Sequence, residues 1–268
     1  MDNAVELKGG LYLENSSVIE LNAQNIMHSG CFCQRSNSNA SGYINKNKWL
    51  HQRFLEGLKY VKIMDNNKQA GFIEYIPIEY SSRVVFGEDY IVIHCLWVSI
   101  TGKGYASKLI KMCLQDAKEQ NKAGVIVITN PNTSWVPSKD IFLKHHFNII
   151  DHAPNGFELL VYKFGHAPNP YFPNDWDARL FACQQLTIFR TPQCPFVEIA
   201  TDNVVEGAKK LGIQVEMIDL QNREELLRRS PTPYGIYGVA YKGKLIAFHR
   251  LTVHSAIKRL KELCTSEI

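Results

Sequence analysis

Apolar and polar residues along this chain fall into short alternating stretches and short apolar runs, separated by polar, glycine- and proline-containing breaks. Val18–Leu21 alternates and reads as a first strand. Asn45–Leu58 places Trp49, Phe54, Leu55 and Leu58 on one face of a helix. Tyr60–Met64 and Gln69–Ile76 flank Asp65-Asn66-Asn67-Lys68, a hairpin signature. Glu79–Asp89 reads as a polar connector. The run Ile91–Val98 then predicts a strand at least partly buried on both faces. A polar turn, Thr101-Gly102-Lys103-Gly104, leads into an amphipathic helix over Gly104–Gln120, with Tyr105, Leu109, Met112 and Cys113 at helical spacing. Val125–Ile128 reads as a buried strand, so strand, helix and strand make a βαβ unit with parallel pairing. A helix over Pro137–Lys144 and two closing strands, Asn148–Asp151 and Phe157–Lys163, follow.

The pattern breaks at Gly165–Asp177, where Pro168, Pro170 and Pro173 leave no periodicity. Tyr171, Phe172 and Trp176 suggest that this stretch packs against something, and Arg179–Gln184 reads as an extension of it. Periodicity resumes with a strand at Leu186–Phe189, a helix opening at Thr191–Phe196 and running to about Leu211, and Gly212 as its stop. Ile213–Leu220 is a strand and Asn222–Arg229 a helix, before the rigid turn Ser230-Pro231-Thr232-Pro233. A hairpin of Ile236–Ala240 and Leu245–Phe248, then a helix over Thr252–Leu263, complete the order βαβαββα. The expected organisation is a first domain over 1–164, with residues 1–15 a loose extension, a Pro-rich linker over 165–185, and a second domain over 186–268.

Composition narrows the function classes. With 268 residues, 45% of them hydrophobic, the chain can build two modest cores. No apolar run approaches the roughly 18 residues of a membrane span, and no secretory leader pattern opens the chain. The formal charge of +4 comes without a basic run or aromatic-interleaved stripe, so neither a membrane nor a nucleic-acid partner is expected. Seven cysteines, an odd set with Cys95 and Cys113 inside apolar patterns, suit a reducing cytoplasm. Cys31-Phe32-Cys33 lacks a second ligand pair, so no metal site is expected.

A strand, a glycine turn and a helix together present unpaired backbone N–H groups and the positive end of a helix dipole to an anion. The turn Thr101-Gly102-Lys103-Gly104-Tyr105-Ala106 resembles the acyl-CoA loop of the GNAT superfamily of N-acetyltransferases, Gln/Arg-x-x-Gly-x-Gly/Ala. It matches at Gly104 and Ala106 and departs at Thr101. The order of elements over residues 15–164 is similar to the whole family fold. The resemblance implies an α/β (α+β) fold, a mixed sheet with flanking helices. It also implies acetyl-CoA held at Trp97, Val98, Thr101, Gly102, Lys103, Gly104, Tyr105, Ala106 and Asn132, with an oxyanion contact from backbone N–H near Trp97 or Val98. Where the family ends its next helix Tyr-x-x-x-Gly-Phe, this chain has Phe142, then His146-Phe147, and phenylalanine has no proton to give. His145 or a water is left as the acid for the leaving thiolate. As base toward the attacking amine, the candidates are Glu74, His94, and Glu88 or Asp89. For Glu74 and His94 the alternative is simple exposure on a half-solvated strand.

The βαβαββα order resembles a thioredoxin fold, with Cys194-Pro195 at the place of its redox motif and Thr232-Pro233 at that of its cis-proline. A GNAT domain followed by such a module resembles acetyltransferases with a YoaP-like C-terminal domain. Cys194 at a helix start is a candidate thiolate, although Cys194-Pro195-Phe196-Val197 has no resolving cysteine. The reading that results is an N-acetyltransferase acting on a small-molecule or peptide amine, as a monomer or homodimer. The alternatives are a CoA- or partner-binding protein that has lost turnover, and a thiol-dependent redox protein centred on Cys194.

Overall fold

The computed structural model describes residues 16–265, so the expected extension over 1–15 lies outside the described residues. The chain begins with β1 (Ser16–Leu21), a short helix α1 (Ile26–Ser29) and α2 (Ser41–Arg53). The hairpin strands β2 (Lys59–Asp65) and β3 (Lys68–Pro77) turn through Asn66 and Asn67, both at positive φ, as Asn tolerates. β4 (Tyr90–Val98), α3 (Tyr105–Glu119) and β5 (Gly124–Thr129) form the expected parallel βαβ unit. α4 (Lys139–Leu143), β6 (Asn148–Ala153) and β7 (Phe157–Lys163) close a seven-stranded mixed sheet ordered β1-β2-β3-β4-β5-β7-β6.

The second part contains α5 (Trp176–Phe181), β8 (Leu186–Arg190), α6 (Val197–Lys209), β9 (Val215–Asp219), α7 (Arg223–Arg229), β10 (Tyr237–Tyr241), β11 (Lys244–Ala247) and α8 (Val253–Thr265). Its four-stranded sheet runs β11-β10-β8-β9, with β8 and β9 parallel and the other pairs antiparallel.

The continuous apolar run of β5 is explained by its two destinations. Val125 and Val127 point to a core beneath α3, built with Leu109, Ile110 and Cys113. Ile126 and Ile128 point the other way, into a core that continues through Phe157 and Leu159 into the second sheet at Ile188, Val239 and Phe248. Phe157 and Phe248 meet with ring centroids 4.7 Å apart, so the two sheets share one core. A third cluster, under α2 and α1, holds Trp49, Leu50, Tyr60 and Phe72.

Several expectations change here. Leu55 is 86% exposed rather than part of the α2 face, because the helix ends at Arg53 and the chain turns away. The stretch 79–89 is no simple polar connector: Ser81, Arg83, Val84 and Val85 are buried between the sheets. The Pro-rich stretch contains α5, and its Phe172 and Trp176 are buried in the shared core. The helix expected from Thr191–Phe196 begins at Val197. Among the described residues there is no cis peptide bond, so Thr232–Pro233 is trans, contrary to what the resemblance implied.

Where the parts meet, the backbones touch. A Cβ built on Gly42 of α2 would lie 2.0 Å from the carbonyl oxygen of Pro195, so only glycine fits between helix and loop. Gly42→Ala is expected to push α2 off the Pro195 loop and cost about 1–3 kcal/mol, the usual range for overpacking. Urea unfolding checks this, and an unchanged midpoint would mean that the contact is slack.

Candidate active site

β4 parts from β5 halfway along its length. Their pairing runs from Tyr90↔Gly124 to Ile93↔Val127 and stops, while β4 continues against β3 to Val98. The register of β3 against β4 skips between Glu74 and Tyr75, which leaves His94 as an extra residue, a β-bulge. Beyond the bulge, a groove of about 490 Å³ opens between the strands, lined by Leu96, Trp97, Val98, Ala106, Asn130 and Glu158 among others. Trp97 is 49% exposed, which suits a wall of that groove rather than the core.

The groove ends at the start of α3. Gly104 caps this helix in the left-handed conformation, φ 71°, and no side chain caps it. The first-turn amides are therefore left without intrahelical acceptors. A Cβ on Gly102 or Gly104 would meet nothing within 4 Å, so the space before the helix is open. Thr101, Gly102, Lys103 and Gly104 are exposed, while Tyr105 is buried and anchors the helix. Lys103 is tied to the hairpin by an ion pair with Asp65 (2.5 Å). The donor set suits a pyrophosphate: backbone N–H groups, a helix dipole and room for an anion. Asn132, the cofactor contact that the resemblance implied, follows β5. It is exposed, its side chain lies against Gly156, and Asn130 lines the groove.

On the α2 face of the sheet, the bulge turns His94 into a buried polar cluster. Glu74 is 1% exposed and His94 2%, so neither is a solvated strand residue. Lys46 of α2, itself 3% exposed, forms an ion pair with Glu74 Oε2 and lies 4.3 Å from the centroid of the Trp49 ring. Ser82 N–H donates to His94 Nε2 (3.1 Å), which places the ring proton on Nδ1. That Nδ1–H donates to Glu74 Oε1 (3.2 Å). The Ser81 hydroxyl, 2.9 Å from Nε2, then donates to it. Arg83 reaches the carbonyl of His94 and donates to Gln193 Oε1 (2.7 Å), while Gln193 Nε2 donates to Glu74 Oε1 (3.0 Å).

Desolvation works against the Glu74 charge, but the Lys46 charge and the His94 and Lys46 hydrogen bonds outweigh it and hold the carboxyl at about 2. Burial brings His94 down to about 4 against the hydrogen bond to Glu74, so the imidazole is neutral near pH 7. Ser81 lines a cleft of about 500 Å³ between the sheets, along with Trp49, Glu79, Arg190 and Arg223.

His145 is not part of this cluster. It follows α4, with Nε2 2.9 Å from Ser107 Oγ of α3. Phe142 is sealed in the core against Phe147. Glu88 and Asp89 lie in the chain just before β4, and Asp89 pairs loosely with Lys122 (3.9 Å). Cys194 is partly buried, and desolvation pushes its thiol up to about 11, which overrides the lowering by the Phe196 N–H. Sequence reasoning missed Lys46, Ser81, Arg83 and Gln193. Lys46 sits inside a polar stretch, and the other three join the cluster only through long-range contacts.

Residues 25–136 match the acetyltransferase (GNAT) family. Over 250 residues the chain is 28% identical to YoaP of Bacillus subtilis (strain 168), an uncharacterized N-acetyltransferase, across 91% of this chain and 98% of YoaP. Among solved structures it is similar to the PaiA N-acetyltransferase of Thermoplasma acidophilum in complex with coenzyme A, with 10% identity and a TM-score of 0.40. That match covers 56% of this chain and 99% of PaiA. It is also similar to YncA of Salmonella typhimurium, a structure with acetyl-CoA, with 12% identity and a TM-score of 0.40 over 58% of this chain and 97% of YncA.

The acid–base cluster makes stability depend on pH. His94 has its folded pKa, about 4, below its unfolded 6.5, and Glu74 has about 2 against 4.5. Both groups bind protons more readily unfolded, so their stabilisation is present above the unfolded values and is lost as pH falls through the folded ones. Unfolding free energy is expected to drop by on the order of 2–4 kcal/mol between about pH 6.5 and 4. His94→Asn should remove that slope. Urea midpoints of both proteins across this range provide the check, and equal slopes would contradict it.

Proposed function

We infer that this chain transfers an acetyl group from acetyl-CoA to an amine of a small molecule or peptide, a reading supported by the match of residues 25–136 to the GNAT acetyltransferase family. The carrying observation is the parting of β4 from β5 after Ile93, which opens a groove leading to the uncapped start of α3. In this reading the pyrophosphate rests on the amides of the 101–106 turn, and the pantetheine arm runs along the groove past Trp97, Val98 and Asn130. The backbone N–H groups of β4 beyond the bulge face the carbonyl oxygen of the thioester.

The incoming ammonium must give up a proton before its nitrogen attacks the thioester carbon. Ser81 Oγ–H, already bonded to His94 Nε2, passes that proton inward, and the Glu74 carboxylate supports the imidazolium that forms. The attack forms a C–N bond in a tetrahedral adduct, whose collapse breaks the C–S bond, expels the thiolate and frees a second proton from the nitrogen to solvent. Phe142 is buried and has no proton to give, and desolvation lowers the proton affinity of His145, so a water at the open groove carries the proton to the thiolate. The C-terminal sheet order, with β8 and β9 parallel and β10 and β11 antiparallel, supports the thioredoxin-like reading of that module. A raised Cys194 pKa argues against redox chemistry there.

Gly104→Glu tests the cofactor site. The substitution puts a side chain at φ 71° and an anion where a pyrophosphate is expected. Calorimetric titration should show acetyl-CoA binding to wild type weakened at least tenfold in the variant, with Cys194→Ser unchanged. Absence of binding by wild type would sink the assignment.

A further inference from the structure

The C-terminal module reaches into the acid–base cluster at one point, and the residue there is not a thiol. Gln193 is 3% exposed and uses both ends of its amide. Its orientation is fixed by chemistry: the Arg83 guanidinium carries only donors, so the amide oxygen must face it. The NH₂ group is thereby aimed at Glu74 Oε1, the oxygen that also accepts from His94 Nδ1–H.

The loop that carries Gln193 is anchored on both sides. Thr191 N–H donates to the Ile236 carbonyl (2.9 Å), and Val197 N–H donates to the Cys194 carbonyl (3.1 Å). Pro192 and Pro195 restrict the backbone between these points, and the Pro195 carbonyl is wedged against Gly42. Asn45 Nδ2–H donates to Glu198 Oε1 (2.9 Å) and holds α2, the helix that supplies Lys46, to α6. Opposite them, Arg223 donates to the carbonyls of Ser81, Arg83 and Val85 and fixes the segment that supplies Ser81 and Arg83.

We propose that Gln193 is a positioning residue which the C-terminal module delivers to the acetyltransferase domain, where its amide holds Glu74 Oε1 against His94 Nδ1. The loop at the place of a redox motif thus supplies an amide to another module's proton-transfer pair. Without it, Glu74 loses a neutral donor and leans more on the His94 N–H, and Arg83 loses its acceptor. The assignment rests on the acetyl-transfer reading for its functional meaning. Its geometric content stands on the contacts alone.

The readout is the His94 ring, followed by NMR in the full chain labelled at histidine. The groups that face the Glu74–His94 pair are Lys46 from α2, Cys31 and Tyr60 beneath α2, Arg83 from the connector, Cys95 from β4, and Cys194 and Tyr234 from the C-terminal module. Gln193→Met keeps the side-chain volume and removes both hydrogen bonds. The His94 midpoint should rise by half a pH unit or more, because a less satisfied carboxylate favours the protonated ring. Gln193→Leu also removes both hydrogen bonds, without added charge, and decides the matter if Gln193→Met does not fold. A His94 midpoint unmoved in a folded variant would overturn the proposal. Calorimetry with acetyl-CoA on the same proteins separates the two questions. Loss of binding by wild type strikes the acetyl-transfer reading, while the titration decides the role of Gln193 whichever way the calorimetry falls.

Discussion

The Glu74 carboxylate is the constraint around which this molecule is built. An ionised group withdrawn from water costs several kcal/mol unless charge and hydrogen bonds replace its hydration. Here the replacements arrive from three separate places: Lys46 from a helix, His94 from the neighbouring strand, and Gln193 from the C-terminal module. None of them is local to β3. Satisfying one side chain therefore ties α2, β4, the 79–89 segment and the loop before α6 into a single arrangement, and Arg83 and Arg223 fix the pieces that touch it indirectly.

The same irregularity in β4 produces both halves of the site. A regular strand would send successive side chains to opposite faces, so His94 and Cys95 could not both belong to the α2 side. The bulge at His94 breaks that alternation, aims the imidazole at Glu74, and bends the strand away from β5. The groove and the acid–base pair lie on either side of one extra residue. Changes in the bulge would disturb both at once, which a list of separate site residues would not suggest.

Much of the scaffold was legible from local pattern. The Asp65–Lys68 hairpin, the Gly102–Gly104 turn and the βαβ unit are set by residues adjacent in sequence, and these stand where they were expected. The order βαβαββα was readable for the same reason. Glu74 and His94 were legible as chemistry but not as a buried pair, since their burial depends on segments more than a hundred positions away, such as Gln193. The stretch 79–89 looked like a connector because Ser81 and Arg83 are polar, and only the second sheet packed over them makes them interior. Asn132 comes from the resemblance, as the asparagine that follows the fifth strand, whereas the Asn130–Asn155 hydrogen bond that shapes this loop belongs to contacts across the fold.

The shared core beneath β5 also bears on how such a protein changes over generations. Ile126, Phe157 and Leu159 belong to one buried cluster with Phe248, Ile188 and Val239, and the Phe157 and Phe248 rings meet across the boundary. Neither half has an outer skin at that boundary, so each is the other's solvent. A change of side-chain volume on one side leaves a void or a clash on the other, and only a paired substitution across the boundary restores the fit. Repacking one face of this boundary therefore demands a matching change on the other.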